Sequence, residues 1–115
     1  MILPYEGDLI GLPTDKNHLN FRWMEPGCKI LFSVCRQGNA ASCHFASDKR
    51  GLRKLKLAIK DFINYVFTEF EWCEMLFAKI VPNSVKKLAE KVGFVLFWSL
   101  DSCDVYYLPK EVYYE

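Results

Sequence analysis

The 115-residue sequence has few residues that could hold a metal ion and no paired cysteine motif. Its five cysteines show no C-x-x-C spacing, and His18 and His44 are its only histidines. A zinc site needs about four such ligands at short, fixed spacings, so the sequence predicts no metal centre. The odd number of cysteines and the absence of a basic-then-apolar leader predict a reduced, cytoplasmic protein with free thiols.

The sequence also lacks a long hydrophobic run and an excess of either charge. No window approaches the roughly eighteen uninterrupted apolar residues of a membrane-spanning helix, so we expect no membrane partner. The net charge of +1 argues against a general nucleic-acid binder. A small RNA-binding α/β domain remains an alternative through its basic helix and exposed aromatics. With 51% hydrophobic residues, the chain can fold as one domain over residues 1–115.

Residues 1–46 form the N-terminal segment of this domain. Its first 27 residues are interrupted by several prolines and glycines and predict no long helix. Apolar and polar residues alternate over 19–24, which predicts a half-buried strand, and further strands are expected at 29–35 and 40–46. Short turns separate these strands, so the simplest arrangement is a three-stranded antiparallel meander.

Residues 47–94 form the middle segment, which begins with a basic turn at 47–51. A helix is expected over 52–67, a central strand over 73–81 and a second helix over 85–92. We expect Asn83 or Ser84 to cap the second helix and Gly93 to end it in a left-handed conformation. The apolar stripe of the first helix recurs at helical spacing and consists of Leu52, Leu55, Ile59, Phe62, Ile63 and Val66.

Residues 95–115 form the last segment. Strands are expected at 94–100 and 105–108, joined as a hairpin. The predicted fold class is therefore α/β (α+β), with a mixed, mostly antiparallel sheet, a βαβα core and a C-terminal hairpin. A possible homodimer is suggested by aromatic residues that would form an edge strand near the C-terminus: Tyr106, Tyr107, Tyr113 and Tyr114.

Positive charges crowd the start of the first predicted helix, where five basic residues lie within eight positions: Lys49, Arg50, Arg53, Lys54 and Lys56. Cations are mildly unfavourable at this end because the helix dipole is positive there. A phosphate or pyrophosphate bound at the free N–H groups of the first turn would remove the conflict. The alternative is a solvated basic face with no ligand.

Two local patterns resemble the GNAT superfamily of acyl-CoA N-acyltransferases. The strand, basic loop and helix at residues 40–67 are similar to the segment in which that family carries its pyrophosphate loop, Q/R-x-x-G-x-G/A. The segment from Asn83 to Phe94 is similar to the family's Asn-led helix, which ends in E-K-x-G-F. The sequence departs from the family at Arg53 and Leu55, where two small residues are usual, and at Ala89, where many members have a tyrosine. It looks most like small GNAT-like proteins encoded by bacteriophages.

The resemblance implies transfer of an acetyl group from acetyl-CoA to a primary amine of a protein or small molecule. It also implies that the strand at residues 43–46 splays away from the strand at 76–81, with the thioester in the gap between them. Backbone, loop and helix residues are then expected to bind the cofactor: Phe45, Ala46, Ser47, Arg50, Gly51, Leu52, Arg53, Lys54 and Asn83.

Two residues are candidates for catalysis under this resemblance. His44 could act as the general base, or it could be an ordinary half-buried histidine. Tyr106 could replace the missing tyrosine as the acid, although strand alternation directs only one of Tyr106 and Tyr107 towards the site. The alternative function is a catalytically inactive GNAT-like phage protein that serves as a virion component or binds a host protein. Its setting would be the virion or the host cytoplasm.

Overall fold

The computed structural model describes residues 1–115, and seven strands form a single sheet in the order β1-β2-β3-β4-β5-β7-β6. The strands are β1 (Ile2–Pro4), β2 (His18–Trp23), β3 (Ile30–Gln37), β4 (Ala40–Ser47), β5 (Met75–Ile80), β6 (Val95–Ser99) and β7 (Asp104–Pro109). The helices are α1 (Leu55–Glu69), α2 (Asn83–Lys91) and α3 (Lys110–Tyr113). Every strand pair is antiparallel except β4 with β5, which confirms the predicted fold class.

The N-terminal meander is confirmed, with strand ends that differ from the prediction by one or two residues. Gly27 and Gly38 adopt positive φ angles of 84° and 66° in the two connecting turns, a conformation that glycine takes at little steric cost. The edge strand β1 was not predicted, because three residues that include Pro4 give too short a pattern to recognise. It extends the meander by pairing with β2.

Helix α1 packs one face on the sheet, as its apolar periodicity predicted. The rings of Phe32 and Phe62 stack with centroids 4.2 Å apart. The helix begins three residues later than predicted, because residues 50–54 form a 3₁₀ turn. Leu52 therefore lies outside the apolar stripe, with 59% of its surface exposed, and its assignment to the core is wrong.

The two ends of helix α2 depend on different residues, Pro82 at the start and Gly93 at the end. The expected capping by Asn83 or Ser84 is wrong, because Pro82 is the capping residue and its carbonyl accepts from the amides of Val85 and Lys86. The left-handed residue at the C-terminal end is confirmed by the φ angle of 111° at Gly93. The amide of Phe94 then donates to the carbonyl of Ala89 at 2.9 Å, which closes the last turn.

The C-terminal tyrosines do not form an edge strand. Tyr106 and Tyr107 lie on β7, which is an interior strand between β5 and β6. Tyr113 and Tyr114 lie at the end of α3, where both rings pack near the buried ring of Phe67. The edge strand at this end of the sheet is β6 instead, so the predicted location of the edge is wrong. None of the helices is long and apolar enough to cross a membrane.

Cross-strand register divides the sheet into two faces. Residues directly opposite each other on paired strands share a face, so Phe32 and Phe45 lie together on the face that packs against α1 and α2. We call this the helix face. The next pair, Ser33 and His44, lies on the opposite face, which we call the far face. Successive residues of β4 therefore direct their side chains to opposite faces of the sheet.

Candidate active site

Strands β4 and β5 pair over only three residues and then separate. Ala40 to Ser42 lie opposite Met75 to Phe77, and no pairing continues beyond them. This opening is the splay that the resemblance implied, and it leaves residues 43–47 of β4 without a partner strand on that side. In an extended strand, alternate residues direct their N–H and C=O groups to the same edge. Either Phe45 or Ala46 can therefore offer both groups to the gap, but the two residues cannot do so together.

A cavity of about 350 Å³ occupies the gap and extends beneath α1 and α2. Fourteen of its 17 lining residues are hydrophobic, and Lys79 is the only charged side chain among them. The lining residues are Phe32, Cys43, His44, Phe45, Ile59, Phe62, Ile63, Leu76, Ala78, Lys79, Ile80, Val81, Pro82, Val85, Ala89, Val92 and Phe94. Residues of both the helix face and the far face line the cavity.

His44 lines this cavity from the far face, and its surroundings favour the neutral imidazole. Burial lowers the pKa of His44, and the nearby positive charges of His18 and Lys79 lower it further. A histidine with a pKa below about 6.5 is unprotonated at neutral pH and can accept a proton. His44 therefore lines the cavity with an imidazole that favours the neutral form, and its role as the general base stays a prediction.

His18 is a neighbour of His44 that the sequence did not single out. The two rings have centroids 5.9 Å apart, and Nδ1 of His18 lies 2.9 Å from Oδ1 of Asp15. The Asp-x-x-His spacing is visible in the sequence, but its relevance depends on the register that places β2 beside β3 and β3 beside β4. Asp15 and His18 thus form an ion pair beside the candidate base whenever His18 is protonated.

In the basic loop, the carboxylate of Asp48 occupies an amide that was predicted to bind a phosphate or pyrophosphate. Oδ1 of Asp48 accepts a hydrogen bond from the amide of Gly51 at 2.8 Å, and the amide of Leu52 donates to the carbonyl of Lys49 at 3.4 Å. The Ser47 hydroxyl donates to the carbonyl of Asp48 at 2.8 Å. The prediction of free N–H groups is therefore wrong for Gly51 and Leu52.

The cationic side chains of the loop remain available. Arg50 and Arg53 are exposed and form no ion pair, whereas Nζ of Lys54 lies 3.3 Å from Oε1 of Glu25. Guanidinium groups bind phosphate oxygens through two parallel hydrogen bonds. The loop is therefore suited to hold a pyrophosphate by side chains rather than by the Gly51 and Leu52 amides.

Gly51 is required by close packing. A Cβ at this position would lie 2.6 Å from Cγ1 of Ile30, a fully buried residue, and would also meet the Ser47 hydroxyl. We expect Gly51→Ala to lower the free energy of unfolding by about 1–3 kcal/mol, as overpacking does elsewhere. Urea denaturation measures this change. Leu52→Ala, at an exposed neighbour, is the control, and equal stability of the two variants would contradict the packing described.

Tyr106 is not among the residues that line the cavity, and its hydroxyl has a partner elsewhere. Its side chain is buried on the helix face, its hydroxyl donates to Oε2 of Glu90 at 3.0 Å, and it does not line the cavity. Burial raises the pKa of Tyr106, and the hydrogen bond to Glu90 raises it further. Burial and the hydrogen bond to Glu90 account for a tyrosine at this position. Its side chain would not contact a substrate bound in the gap.

We expect Tyr106→Phe to lower stability by about 1 kcal/mol, because one buried hydrogen bond is lost. Acetyl transfer should remain within a factor of two or three of the original rate, since the hydroxyl lies outside the cavity. Thermal unfolding and steady-state kinetics on the same preparation measure both effects. A loss of turnover with unchanged stability would restore Tyr106 as the acid.

Asn83 was predicted to bind the cofactor, and Cys43 is a cysteine that lines the cavity. Asn83 is exposed at the first turn of α2 and does not line the cavity, whereas its neighbour Pro82 does. Cys43 lines the cavity, but burial and the nearby Cys73 raise the pKa of its thiol, so it remains protonated and is a poor nucleophile. No group of three or more His, Cys, Asp or Glu side chains is placed to hold a metal ion.

The architecture is similar to that of several solved N-acetyltransferases. A spermidine N-acetyltransferase chimera, SpeG K23-Y30 from Vibrio cholerae and hSSAT, superposes with a TM-score of 0.72 at 18% identity, over 88% of this chain and 72% of that one. The Campylobacter jejuni N-acetyltransferase PseH, in complex with acetyl coenzyme A, gives 0.64 at 16% identity, over 84% and 70%.

The ribosomal-protein-S18-alanine N-acetyltransferase from Escherichia coli superposes with a TM-score of 0.61 at 17% identity, over 84% of this chain and 71% of that one. No protein-family model matches the sequence, and no curated protein matches it. The likeness therefore lies in the arrangement of strands and helices rather than in the sequence. This chain has the GNAT N-acetyltransferase fold, as the resemblance in its sequence implied.

Proposed function

We propose that the protein is an N-acetyltransferase that uses acetyl-CoA to acetylate a primary amine. The observation that carries this proposal is the splayed gap between β4 and β5, with its apolar cavity and with His44 on the wall. A gap of this kind places an unpaired strand edge, a hydrophobic channel and a neutral imidazole within one small volume. These features suit an extended acyl donor on one side and an amine on the other.

The residues present fit acetyl-CoA along most of its length. The edge of β4 over residues 43–47 offers hydrogen bonds to the amides of the pantetheine arm, as an added strand would. The apolar walls suit the methylene groups of the arm, and Arg50 and Arg53 supply positive charge for the pyrophosphate. Bound acetyl-CoA supplies the acetyl group as an activated thioester.

His44 acts in this proposal as the base that accepts a proton from the attacking amine. Its lowered pKa keeps the imidazole neutral at pH 7, so it can take up the proton as the nitrogen attacks. The hydrophobic lining offers few polar groups that could hold water near the thioester, and the narrow gap holds the reacting groups close together. The chain therefore contributes proximity and a proton acceptor in an apolar channel.

The direct test is to incubate purified protein with acetyl-CoA and a panel of primary amines. Release of free thiol, together with a mass increase of one acetyl group on the amine, would support the proposal. The cavity offers a matched pair of variants, because Ala78 lines it and Leu57 is exposed on α1. Ala78→Phe should abolish transfer, whereas Leu57→Ala should not. If no amine in the panel is acetylated by a folded protein, the proposed activity is refuted.

A second candidate is a catalytically silent binding protein, and the exposure of β6 favours it. All five residues of this edge strand are exposed, including Phe97 at 66% and Trp98 at 61%. Apolar edge strands of this kind pair with other chains, either a second copy or a different protein. This candidate predicts a stable complex and no turnover with acetyl-CoA. Native mass spectrometry over a range of concentrations would detect a homodimer.

A further inference from the structure

The far-face end of the cavity, which we call its mouth, is lined by His44 and Lys79, and no carboxylate lines the cavity. Among its 17 lining residues, Lys79 is the only charged one, and no aspartate or glutamate is present. Lys79 is exposed and forms no ion pair with any acidic side chain of the protein. Its ammonium group is therefore free to bind a negatively charged group that approaches the gap.

The surroundings of this mouth do not cancel the charge of Lys79. His44 lies on the same side of the sheet, and His18 lies next to His44 with its ring directed at Asp15. Asp15 is the nearest carboxylate in this group, and its hydrogen bond to His18 occupies one of its oxygens. The far-face mouth is therefore neutral to positive at neutral pH.

This charge distribution selects among amines. An acceptor with several ammonium groups would be repelled by Lys79 and would find no carboxylate in the cavity to bind it. An acceptor with a negative group near its amine would pair with Lys79 and bring its nitrogen towards His44. The positive charge of Lys79 also lowers the pKa of an amine bound nearby, which favours the neutral form that attacks the thioester.

We infer that the acceptor is a primary amine carrying a carboxylate or phosphate a few atoms from the reacting nitrogen. The inference rests on the proposed acetyltransferase function and specifies its substrate class. It distinguishes this protein from the spermidine N-acetyltransferase of the same fold, because spermidine is a polycation at neutral pH.

Three acceptors of similar length test the inference: β-alanine, 2-aminoethyl phosphate and 1,3-diaminopropane. They differ in whether the second group is a carboxylate, a phosphate or an ammonium. We expect at least one anionic acceptor to exceed the diamine in kcat/KM by about tenfold, the effect of roughly 1.4 kcal/mol. The ratio between the two anionic acceptors then distinguishes a carboxylate substrate from a phosphate one. Equal rates, or preference for the diamine, would overturn the inference.

Substitutions at Lys79 provide the matched test. Lys79→Gln should reduce kcat/KM for the preferred anionic acceptor by about tenfold, and Lys79→Glu should reverse the preference in favour of the diamine. Lys87→Gln, at an exposed lysine outside the cavity, should change neither. A preference that is unchanged in both Lys79 variants would overturn the role of this residue.

Titration calorimetry with acetyl-CoA separates the possible failures. If the cofactor does not bind, the proposed function fails and the inference fails with it. If the cofactor binds and the diamine is the better acceptor, only the inference fails. If the cofactor binds and neither anionic acceptor is acetylated, the inference is again overturned.

Discussion

Replacing His44 by glutamine is expected to lower kcat for acetyl transfer by about 100-fold or more, the usual contribution of a positioned general base. Glutamine has a comparable size and polarity but cannot accept the proton. His44 is only half-buried, so the fold should tolerate the change, and the affinity for acetyl-CoA should stay within a factor of about three. Steady-state kinetics with the best acceptor, and calorimetry with acetyl-CoA, measure the two quantities.

The pH profile distinguishes a base from a merely structural histidine. The lowered pKa of His44 predicts that kcat/KM falls only below about pH 6.5, where the imidazole becomes protonated. Lys79→Gln removes a positive charge that lowers this pKa, so the acid limb should move to higher pH. A profile that does not respond to Lys79→Gln, together with an active His44→Gln variant, would assign His44 to the structure alone.

Reversing the charge of Arg50 and Arg53 together is expected to weaken acetyl-CoA binding by about 100-fold. Each arginine that pairs with a phosphate contributes on the order of 1–2 kcal/mol, and a glutamate at the same place adds repulsion. Both side chains are exposed, so the free energy of unfolding should change little. Titration calorimetry measures the affinity and urea denaturation measures the stability.

The control makes the same change of charge elsewhere. Lys16→Glu with Lys91→Glu alters two exposed lysines outside the loop and the cavity, so it tests whether net charge alone weakens binding. We expect this variant to bind acetyl-CoA almost normally. If both double variants bind equally well, the basic loop does not hold the pyrophosphate, and the cluster is a solvated surface.

Hydrophobic periodicity predicted the long elements because their physics is local. Helix α1 was predicted over 52–67 and strand β5 over 73–81, and both were found within three residues of the predicted ends. The separation of β4 from β5 was expected only through the family resemblance. No residue in either strand indicates where their pairing stops, because the position of that point depends on the twist of the whole sheet.

Three details of the site depended on contacts that the sequence pattern did not indicate. The carboxylate of Asp48 accepts a hydrogen bond from the amide of Gly51, whereas the sequence indicated only a basic turn. The hydroxyl of Tyr106 donates a hydrogen bond to Glu90, a residue 16 positions away on another element. His18 reaches His44 only through the register of three strands. The contacts of Tyr106 and His18 are non-local, so no pattern within a short window contains them. Asp48 is only three residues from Gly51, and its hydrogen bond depends on the 3₁₀ turn that replaces the predicted start of the helix.

Calorimetric titration with acetyl-CoA measures whether the gap and the basic loop bind the cofactor. We expect binding with a micromolar Kd, and competition by free CoA, because the gap and the basic loop are expected to recognise the arm and the pyrophosphate rather than the acetyl group. Ala78→Phe, which fills the gap, should abolish the heat of binding in a folded protein. No binding at millimolar acetyl-CoA would contradict the account and leave a GNAT fold that serves another purpose.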